Sequence, residues 1–233
     1  GKDPIAYYWY VVRRGLLSWS GFQATLVRTA PLLFLAAGLI VAFRAGIWNL
    51  GIDGQVLLAA VIVAALGPIL HGNISNSAIF FSCFVVAAIV GAAWAMIPAY
   101  LKANHGINEI ITTLMMTFLG ISLANVLIKI PFNDPSTTVP QTATLAVEDR
   151  LPRLFDTIIH QGVVFAVIAV LAVHFLMTRT AFGLRLQVVG ANPKAAVHSG
   201  LNVRRLTYVA FGLSAGLAGM GGAVEILGVW GTV

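Results

Sequence analysis

Between Gly54 and Leu101 the chain carries no Asp, Glu, Lys or Arg. A helix that crosses a bilayer needs about 20 mostly apolar residues, and the polar stretch His71-Gly-Asn-Ile-Ser-Asn-Ser77 divides this run into two such segments, near 56–70 and 79–101. Further charge-free runs follow at 110–128, 157–178 and 206–224, and one more, 29–43, precedes them. With 59% hydrophobic and 9% charged residues, the composition lies far from the roughly 25% charged residues of a soluble domain. The expected fold is all-α: a polytopic integral membrane protein with about six membrane segments in one transmembrane unit over residues 1–233, and no soluble domain.

Charge sets the expected orientation. Residues 179–205 hold Arg179, Arg185, Lys194, Arg204 and Arg205 with no acid, which places this loop in the cytoplasm. Alternation then puts 129–156, the His71 turn and residues 1–28 outside, and 102–109 inside. Counted over that topology, Lys and Arg number seven on each side, so the local cluster carries the orientation and the total does not. The net charge of +6 is scattered between apolar segments, which fits a membrane surface and not nucleic acid. Near the start, Tyr7-Tyr8-Trp9-Tyr10, Arg13-Arg14 and Trp19 read as an interfacial segment along the headgroups. The beginning Gly1-Lys2-Asp3-Pro4 and the end Gly231-Thr232-Val233 read as an excised portion of a longer chain.

Several chemistries are absent from the pattern. No G-x-x-x-x-G-K-[ST] phosphate loop occurs, so any ATP hydrolysis belongs to another chain. His71, His105, His160, His174 and His198 show no metal-ligand spacing, so no metal site and no catalytic residue is expected. Cys83 reads as a small core residue inside an apolar run. Gly212/Gly216, Ala215/Gly219 and Gly91/Ala95 are small-xxx-small spacings that bring helices close in lipid.

Two motifs carry functional chemistry. In the basic loop, Asn192 is suited to cap a helix, Pro193 to open it and Gly200 to close it in a left-handed conformation. This predicts about two turns of basic helix, a shape for docking on a partner. The other motif is "GIWNLGIDGQ", residues 46–55, which places Asp53 between two apolar runs. Those runs, 29–43 and 56–70, have 15 residues each, roughly 22 Å as helix against a hydrocarbon core of about 30 Å. The motif is therefore either a cytoplasmic turn between spans or the buried tip of a re-entrant element, with Arg44 placed to pair with Asp53. Glu109 reads as an acid at a helix start, and Glu225 as an acid at the outer end of a span or in a pathway.

The stretches "FRAGIWNLGIDGQVLLAA" (43–60), "AMIPAYLKANHGINEIITTLMM" (95–116) and "GLRLQVVGANPKAAVHSGLNVRR" (183–205) resemble the permease subunits of bacterial ABC importers. Within them the likeness is to the branch that takes up simple sugars and nucleosides, and it extends from about Asp3 to Trp230. The resemblance implies a multi-pass permease in the bacterial inner membrane that moves a nucleoside or related small polar solute by alternating access. It implies an ATP-binding ABC subunit that holds ATP and Mg, a second permease subunit, and a periplasmic or lipoprotein substrate-binding protein. Asn192, Pro193, Lys194, Ala195, Ala196 and Gly200 would form its coupling helix. Trp48, Asn49, Asp53, Gln55 and Glu225 are the pathway candidates, because a sugar or nucleoside calls for carboxylates, amides and an aromatic face. Pentoses and riboflavin-like rings are rival substrates, and a secondary transporter or channel is the rival class.

Overall fold

The structure is a computed structural model that describes residues 3–72, 75–155 and 157–233. Of the polar turn at 71–77, residues 73 and 74 lie outside this description, as does Lys2 of the charge count. Among the described residues six helices are long and apolar enough to span a membrane: α2 (Trp19–Arg44), α3 (Ile52–Leu70), α4 (Asn76–His105), α5 (Glu109–Lys129), α6 (Gly162–Arg179) and α9 (Val203–Glu225), the last prolonged by a π turn to Trp230. Shorter helices are α1 (Pro4–Val12), α7 (Ala181–Ala191) and α8 (Pro193–His198). The fold is all-α and multi-pass, and its extended pairing among the described residues is a single bridge, Arg153 to His160.

Two spans differ from expectation. The first begins at Trp19, not near residue 29, because Ser18 caps it by accepting from Gly21 N (3.2 Å) and Arg28 stays on the exposed face of the helix. The preceding Arg13–Leu17 π turn is folded back along α2, with the Thr25 hydroxyl donating to Gly15 O (2.9 Å) and Tyr10 and Arg14 beside Thr25 and Arg28. The π turn thus folds the chain back against α2, and the aromatics Tyr7, Tyr8, Trp9 and Tyr10 ahead of it are exposed. The fifth span begins at Gly162, not 157. Residues there are uncharged but paired elsewhere: Gln161 N donates to Pro152 O (3.0 Å), and His160 makes the bridge.

Helix α9 forms the axis of the bundle. It packs on α4, α2 and α3, and its small residues allow backbones to touch. A Cβ on Gly219 would overlap the carbonyl oxygen of Ala87, and one on Gly91 would overlap that of Ala215. The small-xxx-small spacings are therefore helix contacts. Cys83 is fully buried in the same core, beside Ala87 and Ile79.

The links fall at two ends of the bundle. At one end, Gly190 of α7 lies against the backbone of Arg44, Ala45 and Gly46, and Lys102 pairs with Glu109 at 2.6 Å across the α4–α5 turn. At the other end the 130–161 loop covers the bundle. There Thr142 N donates to Val233 O (3.1 Å), Leu145 N to Gly231 O (2.8 Å) and Leu151 N to Leu227 O (2.8 Å). Leu145 and Leu151 are buried beneath it, and His71 Nδ1 meets the buried Asp149 carboxylate at 2.7 Å.

Candidate functional site

The functional motif is built on a broken helix pair. Helix α2 stops at Arg44 because Gly46 takes a left-handed φ of 68° while Gly46 N bonds back to Phe43 O (3.0 Å) and Ile47 N to Ala42 O (2.9 Å). From Ile47 to Gly51 the chain then runs without helix back into the bundle. Its depth follows from its partners. Asn49 Nδ2 donates to the hydroxyl of Ser214 (3.2 Å), the midpoint of α9, and Leu50 O accepts from Thr117 (2.9 Å), just over two turns into α5.

Non-helical backbone at that depth is tolerated only where protein satisfies its polar groups. Here side chains supply the partners that flanking backbone does not. Leu50 N donates to Thr113 Oγ1 (3.1 Å), Gly51 N donates to Asn49 Oδ1 (3.1 Å), and the Asn49 and Gln55 amides exchange two hydrogen bonds of 3.1 and 3.2 Å. Asn49 and Gln55 are each 1% exposed. They hold the break in shape. Thr113, Thr117 and Ser214 were not among the sequence candidates, although Thr113 and Thr117 share a helix face four residues apart in an apolar span.

The remaining candidates lie elsewhere. Asp53 stands exposed in the first turn of α3, and Trp48 is 54% exposed with its ring 5.2 Å from that of Phe43. The Arg44–Asp53 pair expected from sequence is not formed: the described residues contain ion pairs at His71–Asp149 and Lys102–Glu109 and none here. The inward run of 47–51 separates the two charges, and Arg44 instead lines a cleft with His174 and Thr178 of α6. Glu225 is far from the break, about 16 Å along α9 from Ser214. It is half-buried and accepts from Trp230 Nε1 at 2.8 Å. Of the five pathway candidates the structure thus pairs Asn49 with Gln55, exposes Trp48 and Asp53 on the same motif, and sets Glu225 apart. The motif links two spans, and its tip is hydrogen-bonded to the middle of α9 and to α5.

The basic segment is mostly helical. Residues 179–205 were expected as a loop, but Thr180 caps α7, which runs to Ala191 and reaches the α2–α3 link through Gly190. Asn192 Oδ1 then accepts from Ala195 N (3.1 Å), Pro193 opens α8, and Gly200 closes it at φ 77°. Lys194, Ala195 and Val197 are exposed, whereas Ala196 is fully buried. Asn108 likewise caps α5, with Glu109 in its first turn.

Residues 21–230 match the family described as branched-chain amino acid transport system / permease component. Among relatives, the chain is 32% identical over 98% of its length to the glucose ABC transporter permease protein TsgB13 of Haloferax volcanii, covering 63% of that protein. It is 27% identical over 88% of its length to the guanosine ABC transporter permease protein NupP of Bacillus subtilis, covering 60%. With the nucleoside ABC transporter permease protein NupB of Lactococcus lactis it shares 26% over 96%, covering 64%. The chain therefore spans somewhat under two thirds of the length of these relatives. No solved structure matches it.

Proposed function

Because the chain belongs to the family described as branched-chain amino acid transport system / permease component, we propose that it is the membrane-spanning part of an ATP-driven importer for a nucleoside or simple sugar. The observation that carries transport is the break at 45–51. A non-helical segment is held against the middle of α9 and the first turns of α5 by Asn49, Gln55, Thr113, Thr117 and Ser214, with Trp48 exposed on it and Asp53 exposed just after it in the first turn of α3. Unwound backbone at membrane depth marks solute sites in transporters, and an aromatic ring with a carboxylate suits a solute that has both a ring and hydroxyls. The relatives named for glucose, guanosine and nucleosides support this solute class.

In this reading the chain is not itself an enzyme. ATP and Mg are held by a partner ATPase, which meets the exposed face of α8 on the cytoplasmic side. A second permease subunit faces the Trp48–Asp53 side, and an external binding protein delivers the solute. The inner membrane is the setting. Uptake of labelled guanosine and glucose, measured in vesicles that contain the whole transporter, tests the reading. Asp53→Asn is expected to lower ATP-driven uptake about tenfold with membrane insertion intact. Uptake that persists without the ATPase would sink the ABC reading, and normal uptake by the Asp53→Asn variant would remove Asp53 from the pathway.

A further inference from the structure

At the α8 end of the bundle, α7 and the start of α9 enclose a cleft of about 470 Å³. Its composition changes along its length. Arg185 comes from α7 and Arg205 from the first turn of α9, beside Gly200 and Asn202; along α9 the wall continues with the adjacent Leu206 and, one turn beyond Arg205, Val209, and Phe182 of α7 also lines it. Phe182 and Arg185 are three residues apart, and Asn202, Arg205, Leu206 and Val209 recur at helical spacing, so each helix gives one face to the cleft. Both arginines are exposed, and no acid occurs in residues 179–205. The ion pairs found among the described residues are made by other groups.

We propose that this cleft binds one anionic glycerophospholipid, its phosphate between Arg185 and Arg205 and an acyl chain along Leu206, Val209 and Phe182. The charge-free run of the α9 span begins after Arg205, so in this reading the cleft is cationic at the membrane surface and apolar toward Val209, one turn deeper. That is the order of charge and hydrocarbon in a lipid. A carboxylate on a docking protein matches the arginines but leaves the apolar depth of the cleft unfilled. Two guanidinium groups from separate helices offer forked donors to one phosphate, and basic pockets at helix ends are recognised lipid headgroup sites. The inference rests on the multi-pass fold and is independent of the transported solute.

Native mass spectrometry of the full-length permease, and of its complex with the ATPase, tests it with phosphatidylglycerol and phosphatidylcholine of equal chain length. Phosphatidylglycerol is expected to be retained at least about tenfold more than phosphatidylcholine, in permease and complex alike. The double substitution Arg185→Gln, Arg205→Gln is expected to abolish that preference, while Arg28→Gln, on an exposed face of α2, leaves it in place. Inorganic phosphate is expected not to displace the lipid. Equal retention of both lipids, a preference unchanged in the double variant, or full displacement by inorganic phosphate would each overturn the proposal. So would loss of the bound lipid when the ATPase joins, with the double variant failing to bind the ATPase, since the arginines would then serve a protein carboxylate.

Discussion

Asn49 and Asp53 lie four residues apart in one motif and do opposite things. The Asn49 amide is buried and joined to Gln55, Gly51 and Ser214, whereas Asp53 is exposed at the start of α3. Asn49→Ala strips the break of an acceptor for Gly51 N and a donor for Ser214, an expected loss of about 1–3 kcal/mol. For a chain of this length that lowers the thermal midpoint in detergent by about 2–4 °C per kcal/mol. Asp53→Asn is expected to leave the midpoint unmoved while uptake falls. An equal midpoint for Asn49→Ala and the parent chain would deny the amide its structural role. The sequence made the motif legible as polar residues set between apolar runs. Which way each residue faces was not legible, because that depends on the left-handed turn at Gly46 and on hydroxyls from α5 and α9, remote in sequence.

At the level of elements, α8 was readable almost to the residue, since Asn192, Pro193 and Gly200 each act through local backbone chemistry. The outward side of that helix was not, as it depends on how α7 and α9 pack around it. Ala196 is the buried member, so a charge there disturbs the segment itself. Val197, 60% exposed, is the better probe. Val197→Asp is expected to lower association with the ATPase about tenfold, read by co-purification, with α8 still formed; undiminished association would deny this face the contact. Span limits were less legible for a related reason. Absence of charge marked where helices are permitted, but Arg28 inside α2 and the loop pairing of 157–161 are set by neighbours.

For the molecule as a whole, the sequence conveyed six spans and their alternation, because lipid imposes length and apolarity on each span separately. It gave no sign that α9 lies at the centre or that the 130–161 segment is bonded across the α9 end. His160 sits in that cover, 1% exposed, with Nδ1 accepting from Gly162 N at 3.1 Å and its ring against Gly228. Burial lowers its pKa below the ordinary 6.5, so the folded protein holds it neutral. An unfolded cover takes up a proton below about pH 6.5. Its contribution to stability is complete above that pH and declines as pH falls toward the lowered folded value. Hydrogen exchange over 142–161 is expected to quicken on acidification, and His160→Gln to flatten that response; identical pH profiles would exclude His160 as its source.

The contact of Gly190 with Gly46 joins two backbones with no side chain between them. Gly190 stands two residues before the Asn192 that caps α8, and Gly46 two before Trp48 at the break. Side chains yield by changing rotamer, and closely packed main chain has no such slack. The joint therefore has no room to spare: even one methyl group added at Gly190 would push the two segments apart.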